Sequence, residues 1–134
     1  AAHPPYPHMT KGLSVAPGET KPLTKDTQGF LWLGAEFEPG ADSELEFNVN
    51  GVLISYDAKK QELNVNGHRA PAPLRAGKQK LIIITDRTAF EIFASDGLTY
   101  VPMPVLWKHE ARGASVSLRG AALKSSNFFA TELR

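Results

Sequence analysis

Glu44-Leu45-Glu46-Phe47-Asn48-Val49-Asn50-Gly51-Val52-Leu53-Ile54-Ser55-Tyr56-Asp57 is the stretch on which the fold turns. From Glu44 to Val49 polar and apolar residues alternate, the period of two expected of a strand with one buried and one wet face. Leu45, Phe47 and Val49 share the inward side. Asn50-Gly51 tolerates the positive φ angles of a two-residue hairpin, so Val52 to Asp57 reads as the returning strand. Ala58 to Gln61 turn the chain once more into Glu62-Leu63-Asn64-Val65-Asn66-Gly67. The segment therefore predicts a three-stranded meander.

The same period extends in both directions. On the N-terminal side, Leu31, Leu33, Ala35 and Phe37 alternate with Trp32, Gly34, Glu36 and Glu38 before the break at Pro39-Gly40. On the C-terminal side, His68 to Gly77, with Pro71 and Pro73, reads as a loop that crosses to Lys80 to Thr85. Leu81-Ile82-Ile83-Ile84 is apolar on both parities, as expected of a mid-sheet strand covered on both faces. Asp86-Arg87-Thr88-Ala89 turns the chain into Phe90 to Ala94, with Phe90 and Ile92 on one side and Glu91 and Phe93 on the other. Asp96-Gly97 leads into Leu98 to Val101, where Pro102 and Pro104 stop the strand and argue for a sheet edge or a bend. Ala114 to Arg119 and Leu123 to Leu133 close the pattern, and no segment has the period of a helix. Some ten short strands with closely spaced turns predict an all-β, two-sheet antiparallel sandwich of jelly-roll type, with a closed barrel as the alternative. Residues 1–11, rich in proline, read as an extended linker or tail, and residues 12–134 as the sandwich.

Composition narrows the function. Fifteen basic residues stand against fourteen acidic ones in 134 residues, a net charge of +1, which offers no clustered excess of cations for nucleic acid or an anionic membrane. No apolar run approaches the ~20 residues of a membrane-spanning helix. There is no cysteine, hence no disulfide framework and no thiolate metal site. No secretory leader is read at the start, which suits a mature or excised piece. The chain contains no His-Glu-x-x-His, no phosphate-binding glycine loop and no Gly-x-Ser-x-Gly. Glu36 with Glu38, and Glu44 with Glu46, are carboxylate pairs on single strand faces, and they read as a solvated outer surface rather than a catalytic dyad. Neither a metal nor a cofactor is expected. Ala1-Ala2-His3 could offer nitrogens to copper or nickel only if Ala1 carried a free amino group, and no Asp-rich loop resembles a calcium site.

The hairpin tip carries the most chemistry. Asp86 and Arg87 stand there, and Glu91 follows on the return strand. Carboxylates accept from vicinal hydroxyls and a guanidinium donates in a fixed plane, so these three could grip a sugar; equally, an acid–arginine pair could pin the hairpin register. Aromatic side chains supply the flat surface against which a sugar ring packs, and the candidates are Tyr100, Trp107 and Trp32, the last two with core or loop roles as alternatives.

Read as a unit, Lys80-Leu81-Ile82-Ile83-Ile84-Thr85-Asp86-Arg87-Thr88-Ala89-Phe90-Glu91-Ile92-Phe93-Ala94-Ser95-Asp96-Gly97 resembles the signature hairpin of the C-terminal β-sandwich of glycoside hydrolase family 32, the fructan hydrolases. Gly51 to Asp57 is similar to that family's preceding strand, and Thr131-Glu132-Leu133 to its last. The resemblance implies a non-catalytic sandwich, because the Asn-Asp-Pro, Arg-Asp-Pro and Glu-Cys motifs of the family's propeller are missing: this chain has no Asp-Pro and no cysteine. It also resembles carbohydrate-binding module family 66, which implies recognition of terminal fructose in levan or inulin by Asp86, Arg87 and Glu91. The implied partners are a fructan and an appended catalytic domain, in a secreted enzyme, with the module a monomer. A sandwich that packs on the propeller and binds no sugar is the alternative.

Overall fold

A computed structural model describes residues 8–9, 13–24, 30–86, 89–104 and 113–133. The backbone of the meander forms as expected. β4 (Glu44–Val49) and β5 (Val52–Asp57) are joined by Asn50-Gly51 with φ of 52° and 87°. β6 (Glu62–Val65) is closed by Asn66-Gly67 with φ of 49° and 91°. Both turns share one device: the side-chain oxygen two residues before the turn asparagine accepts from the turn glycine. Asn48 Oδ1 takes the Gly51 N–H at 3.0 Å and Asn64 Oδ1 the Gly67 N–H at 2.7 Å, so local side chains satisfy amides that face no strand.

Two six-stranded antiparallel sheets result. The first has the order β1 (His8–Met9), β12 (Ser125–Leu133), β3 (Phe30–Glu38), β8 (Gln79–Thr85), β9 (Ala89–Ala94) and β10 (Thr99–Pro104). The second runs β2 (Thr20–Thr24), β11 (Ala114–Arg119), β4, β5, β6 and β7 (His68–Pro71). Two open sheets facing one another make this a sandwich and not a barrel. β8 lies mid-sheet between β3 and β9, as its two-sided apolar run predicts.

Two expectations are corrected. His68 to Pro71 is a strand and not a loop: its backbone pairs with β6, and as the edge of the second sheet it tolerates Pro71. Likewise β10 runs on through Pro102 and Pro104. It is the edge of the first sheet, and both prolines hold the parity whose missing N–H would point away from β9.

The inward parities close the core. Leu31, Leu33, Leu81, Ile83, Phe90 and Ile92 of the first sheet are fully buried against Leu45, Phe47, Ile54, Tyr56 and Leu63 of the second. Edge-to-face ring pairs cross the gap, Phe37 on Tyr56 with centroids 5.9 Å apart and Phe47 on Phe128 at 6.3 Å.

A buried polar network ties the loop after β7 to the first sheet. Gln79, 2% exposed, accepts at Oε1 from the N–H of Ser95 (2.7 Å) and of Lys80 (2.9 Å), and its amide donates toward the Ala72 carbonyl (3.3 Å) and Ser95 Oγ (3.4 Å). Ser95 Oγ donates to the Pro73 carbonyl at 2.7 Å, Tyr56 Oη to Ala72 at 2.7 Å and Thr99 Oγ1 to Pro71 at 2.7 Å. Ala72 is the buried residue of an otherwise largely exposed segment, and the carbonyls of Pro71, Ala72 and Pro73 that turn toward the sandwich are received by these side chains.

Candidate functional site

The outer face of the first sheet is where the predicted residues meet. Cross-strand register sets Phe129, Gly34, Ile82, Phe93 and Tyr100 in one row, and Thr131, Trp32, Ile84, Glu91 and Pro102 in the next. Tyr100 is 47% exposed, and its hydroxyl donates to Glu91 Oε1 at 2.8 Å. Its ring lies beside Phe93, centroids 4.9 Å apart and tilted by 33°. The result is an aromatic surface with a carboxylate held at its margin, both reaching solvent.

That hydrogen bond has an electrostatic signature. The Glu91 carboxylate accepts from the Tyr100 phenol and disfavours a second negative charge beside it, which holds the phenol above its ordinary value near 10. Burial does the same to Tyr56, with nearby Asp57 adding to the effect. In both cases the folded state favours the neutral phenol. The contribution is therefore complete below about pH 10 and is lost as pH rises through the raised value. Glu91→Gln should bring the Tyr100 ionisation back toward its ordinary value, read by ultraviolet difference absorbance, while Tyr56 stays high. An unchanged alkaline titration would show that the 2.8 Å contact is not the cause.

Asp86 stands at the end of the same hairpin. Its backbone N–H donates to the Ala89 carbonyl at 3.1 Å and its Oδ1 accepts from the Ala89 N–H at 3.0 Å, closing the turn. Asp86 Oδ1 thus serves the turn through a backbone amide, a contact other than the acid–arginine pair weighed from the sequence. Arg87 and Trp107 lie outside the described residues. Of the residues singled out, the structure brings Glu91 and Tyr100 into contact across β9 and β10 and puts Asp86 in the turn between β8 and β9.

Trp32 belongs to this face as well. It stacks on Phe129 with centroids 5.0 Å apart and planes at 19°, half-buried and outside the interior. The Phe129 ring occupies the space above Gly34, where any Cβ would fall within the ring. Gly34→Ala should therefore displace the ring and break the stack, at a cost of about 1 kcal/mol, the lower end of overpacking because the ring can swing toward solvent. The measurements are thermal unfolding and near-ultraviolet circular dichroism. Retention of both the aromatic signal and the transition would contradict the close approach. Ile82 and Ile84, half-buried, complete an apolar patch; the sequence reading expected both faces of β8 to be covered, and a two-sheet sandwich covers only the face of Leu81 and Ile83.

A second feature lies at the opposite end of the sheet, where β3 ends and β8 and β12 begin. A cleft of about 450 Å³ opens there between Glu36, Lys80, Arg75, Lys78, Asp96 and Asn127. Nothing in the sequence analysis pointed to it, because its residues come from four separate segments. The carboxylate pairs singled out earlier are dispersed along the outer faces and matched with cations: Glu36 with Lys80 at 3.6 Å and Glu44 with Arg119 at 2.7 Å. Among the described residues no group of three or more His, Asp or Glu is arranged to hold a metal ion.

Comparison with solved structures places this geometry among known folds. An exo-inulinase from Aspergillus awamori superposes with a TM-score of 0.74 at 19% identity, over 98% of this chain and 29% of that one. The chain shares its fold with a portion of that enzyme. A fructofuranosidase from Schwanniomyces occidentalis, solved with fructose, matches at 0.71 and 12% identity over 97% of this chain and 34% of its own. The chain thus spans about a third of the length of these two proteins. A galectin of Caenorhabditis elegans, LEC-6, matches at 0.57 and 11% identity, with 91% of this chain on 94% of that one. No protein-family model and no curated protein matches. At these identities the likeness establishes the fold, the β-sandwich that the hairpin resemblance implied.

Proposed function

We propose that this chain is a non-catalytic carbohydrate-binding sandwich that recognises fructan, levan or inulin, at a terminal fructose and holds an attached glycoside hydrolase at its polymer. The observation that carries this reading is the Tyr100–Glu91 pair beside Phe93, an exposed ring surface with an acceptor fixed at its edge. A sugar ring offers an apolar face to the aromatic and hydroxyls to the carboxylate. Asp86 and Arg87, carried over from the hairpin resemblance, would complete the hydroxyl-binding group, with Trp107 as a further ring. The fold shared with an inulinase and a fructofuranosidase supports the choice of fructan. In this reading the module is a secreted, monomeric part of a larger enzyme and raises the local concentration of substrate without taking part in the chemistry.

A second reading rests on the apolar patch. Trp32, Phe129, Ile82 and Ile84 on an outer sheet face are more than a solvated sandwich needs, and they suit a sandwich that packs on a catalytic domain and binds no sugar. Affinity electrophoresis of the chain in gels containing levan, inulin or an unrelated glucan separates the two. Retardation by a fructan alone supports sugar recognition. Mobility unchanged in all three gels sinks that reading and leaves the packing role.

A further inference from the structure

We infer that the polar cleft at the far end of the first sheet is a second site, and that it takes a neutral, hydroxyl-rich ligand, a short oligosaccharide. This goes beyond the Glu91–Tyr100 surface. Lys80, in the cleft, stands six positions before Asp86, about 20 Å at strand rise, so one sugar unit does not reach both; the Phe93–Tyr100 row is nearer, crossing β8 at Ile82 two positions from Lys80, and the cleft is told from that surface by its own lining of Arg75, Lys78, Asp96 and Asn127.

The chemistry of the lining selects the ligand class. Arg75, Lys78 and Lys80 donate, Glu36 and Asp96 accept, and Asn127 does both, with the cations and carboxylates interleaved in one cavity. An anion entering there meets two carboxylates, and a cation meets three positive side chains. A flat apolar ligand finds no exposed ring among the lining residues. A hydroxyl donates and accepts at once, so a polyol satisfies both kinds of group without importing charge. The volume of about 450 Å³ falls within the range of small-ligand sites, roughly 300–1,000 Å³.

The walls are built rather than incidental. Arg75 and Lys78 are held in a two-residue turn by reciprocal backbone hydrogen bonds of 2.8 and 3.0 Å. Gln79 behind them is fixed by the buried network described above. On the other side Ser95 and Asp96 both adopt left-handed backbone, φ 54° and 55°, although neither is glycine. Ser95 is 1% exposed and hydrogen-bonded through both its N–H and its hydroxyl, so the same network that anchors Gln79 keeps the strained pair in place and presents Asp96 at the cleft. Backbone held in sparsely populated conformations by its surroundings concentrates at ligand clamps.

The experiment is a titration of the full chain, isotope-labelled and with assigned amides, with short inulin-type and levan-type fructo-oligosaccharides, a cello-oligosaccharide and, separately, sodium sulfate. Saturable shifts of the Arg75, Lys78, Lys80, Asp96 and Asn127 amides with at least one oligosaccharide are expected, along with at least fivefold weaker binding there in Asp96→Asn and Asn127→Ala. Asparagine tolerates the left-handed conformation, and an unchanged spectrum elsewhere confirms that each variant is folded. Silence of these amides with all three sugars overturns the inference, as does a response to sulfate alone. Shifts confined to Glu91 and Tyr100 would overturn it while supporting the proposed function; shifts confined to the cleft would do the reverse.

Discussion

Gln79→Ala should lower the stability of the sandwich by about 3 kcal/mol, a fall of roughly 10 °C in the melting transition. The size follows from what the side chain leaves behind. Its Oε1 is the acceptor for the N–H groups of Ser95 and Lys80 at 2.7 and 2.9 Å, and its amide reaches the Ala72 carbonyl and Ser95 Oγ. At 2% exposure water cannot replace those bonds without opening the structure. An orphaned buried donor costs about 1–3 kcal/mol, and a truncated buried side chain adds a cavity. Lys80→Ala, one residue on and pointing outward, is the control and should change stability by less than about 1 kcal/mol. Chemical denaturation with both variants is the measurement. A loss below about 1 kcal/mol in Gln79→Ala would mean that the loop between β7 and β8 is held by other means. A loss as large as expected should also loosen the cleft, since the same network supports Asp96.

Tyr100→Ala should weaken fructan binding by about tenfold or more while moving the melting transition by no more than about 2 °C. The side chain stands 47% exposed on an edge strand, so it contributes little to the core, yet it supplies the ring surface and orients Glu91. Tyr100→Phe separates those two roles: the ring stays, the 2.8 Å hydrogen bond goes, and an intermediate loss is expected. Glu91→Ala should match Tyr100→Ala in binding, since each leaves the other's partner unplaced. Calorimetry against levan and inulin fragments checks all three. Full affinity in Tyr100→Ala would remove this surface from the site and turn attention to the apolar patch as a packing face.

What could be read from the chain and what could not divides along the range of the interactions. Period-two alternation in Leu31 to Phe37, Leu45 to Val49 and Phe90 to Ala94 is a property of neighbouring residues, and so are the Asn-Gly turns, whose positive φ the structure reproduces. Those signals were enough for an all-β sandwich, for the inward and outward faces, and for the partnership of β8 and β9 that puts Glu91 on the outside. His68 to Pro71 was missed because a short polar run ending in Pro71, with Pro73 just beyond, looks like a loop until β6 offers an edge to pair with. The acidic pairs were rightly assigned to solvated faces, but their cations, Lys80 for Glu36 and Arg119 for Glu44, come from strands far along the chain.

The sequence by itself determined the strand content, the turn positions, which side chains face the core, and a hairpin carrying Asp86, Arg87 and Glu91. Only the tertiary structure decided the rest: that Tyr100 meets Glu91 nine residues away, that Trp32 stacks on Phe129 across the β3–β12 ladder, and that Arg75, Asp96 and Asn127 share one cleft. The physical reason is register. Alternation says which face a residue takes but not which residue stands opposite it, and that choice belongs to pairings between distant strands and to the buried network around Gln79.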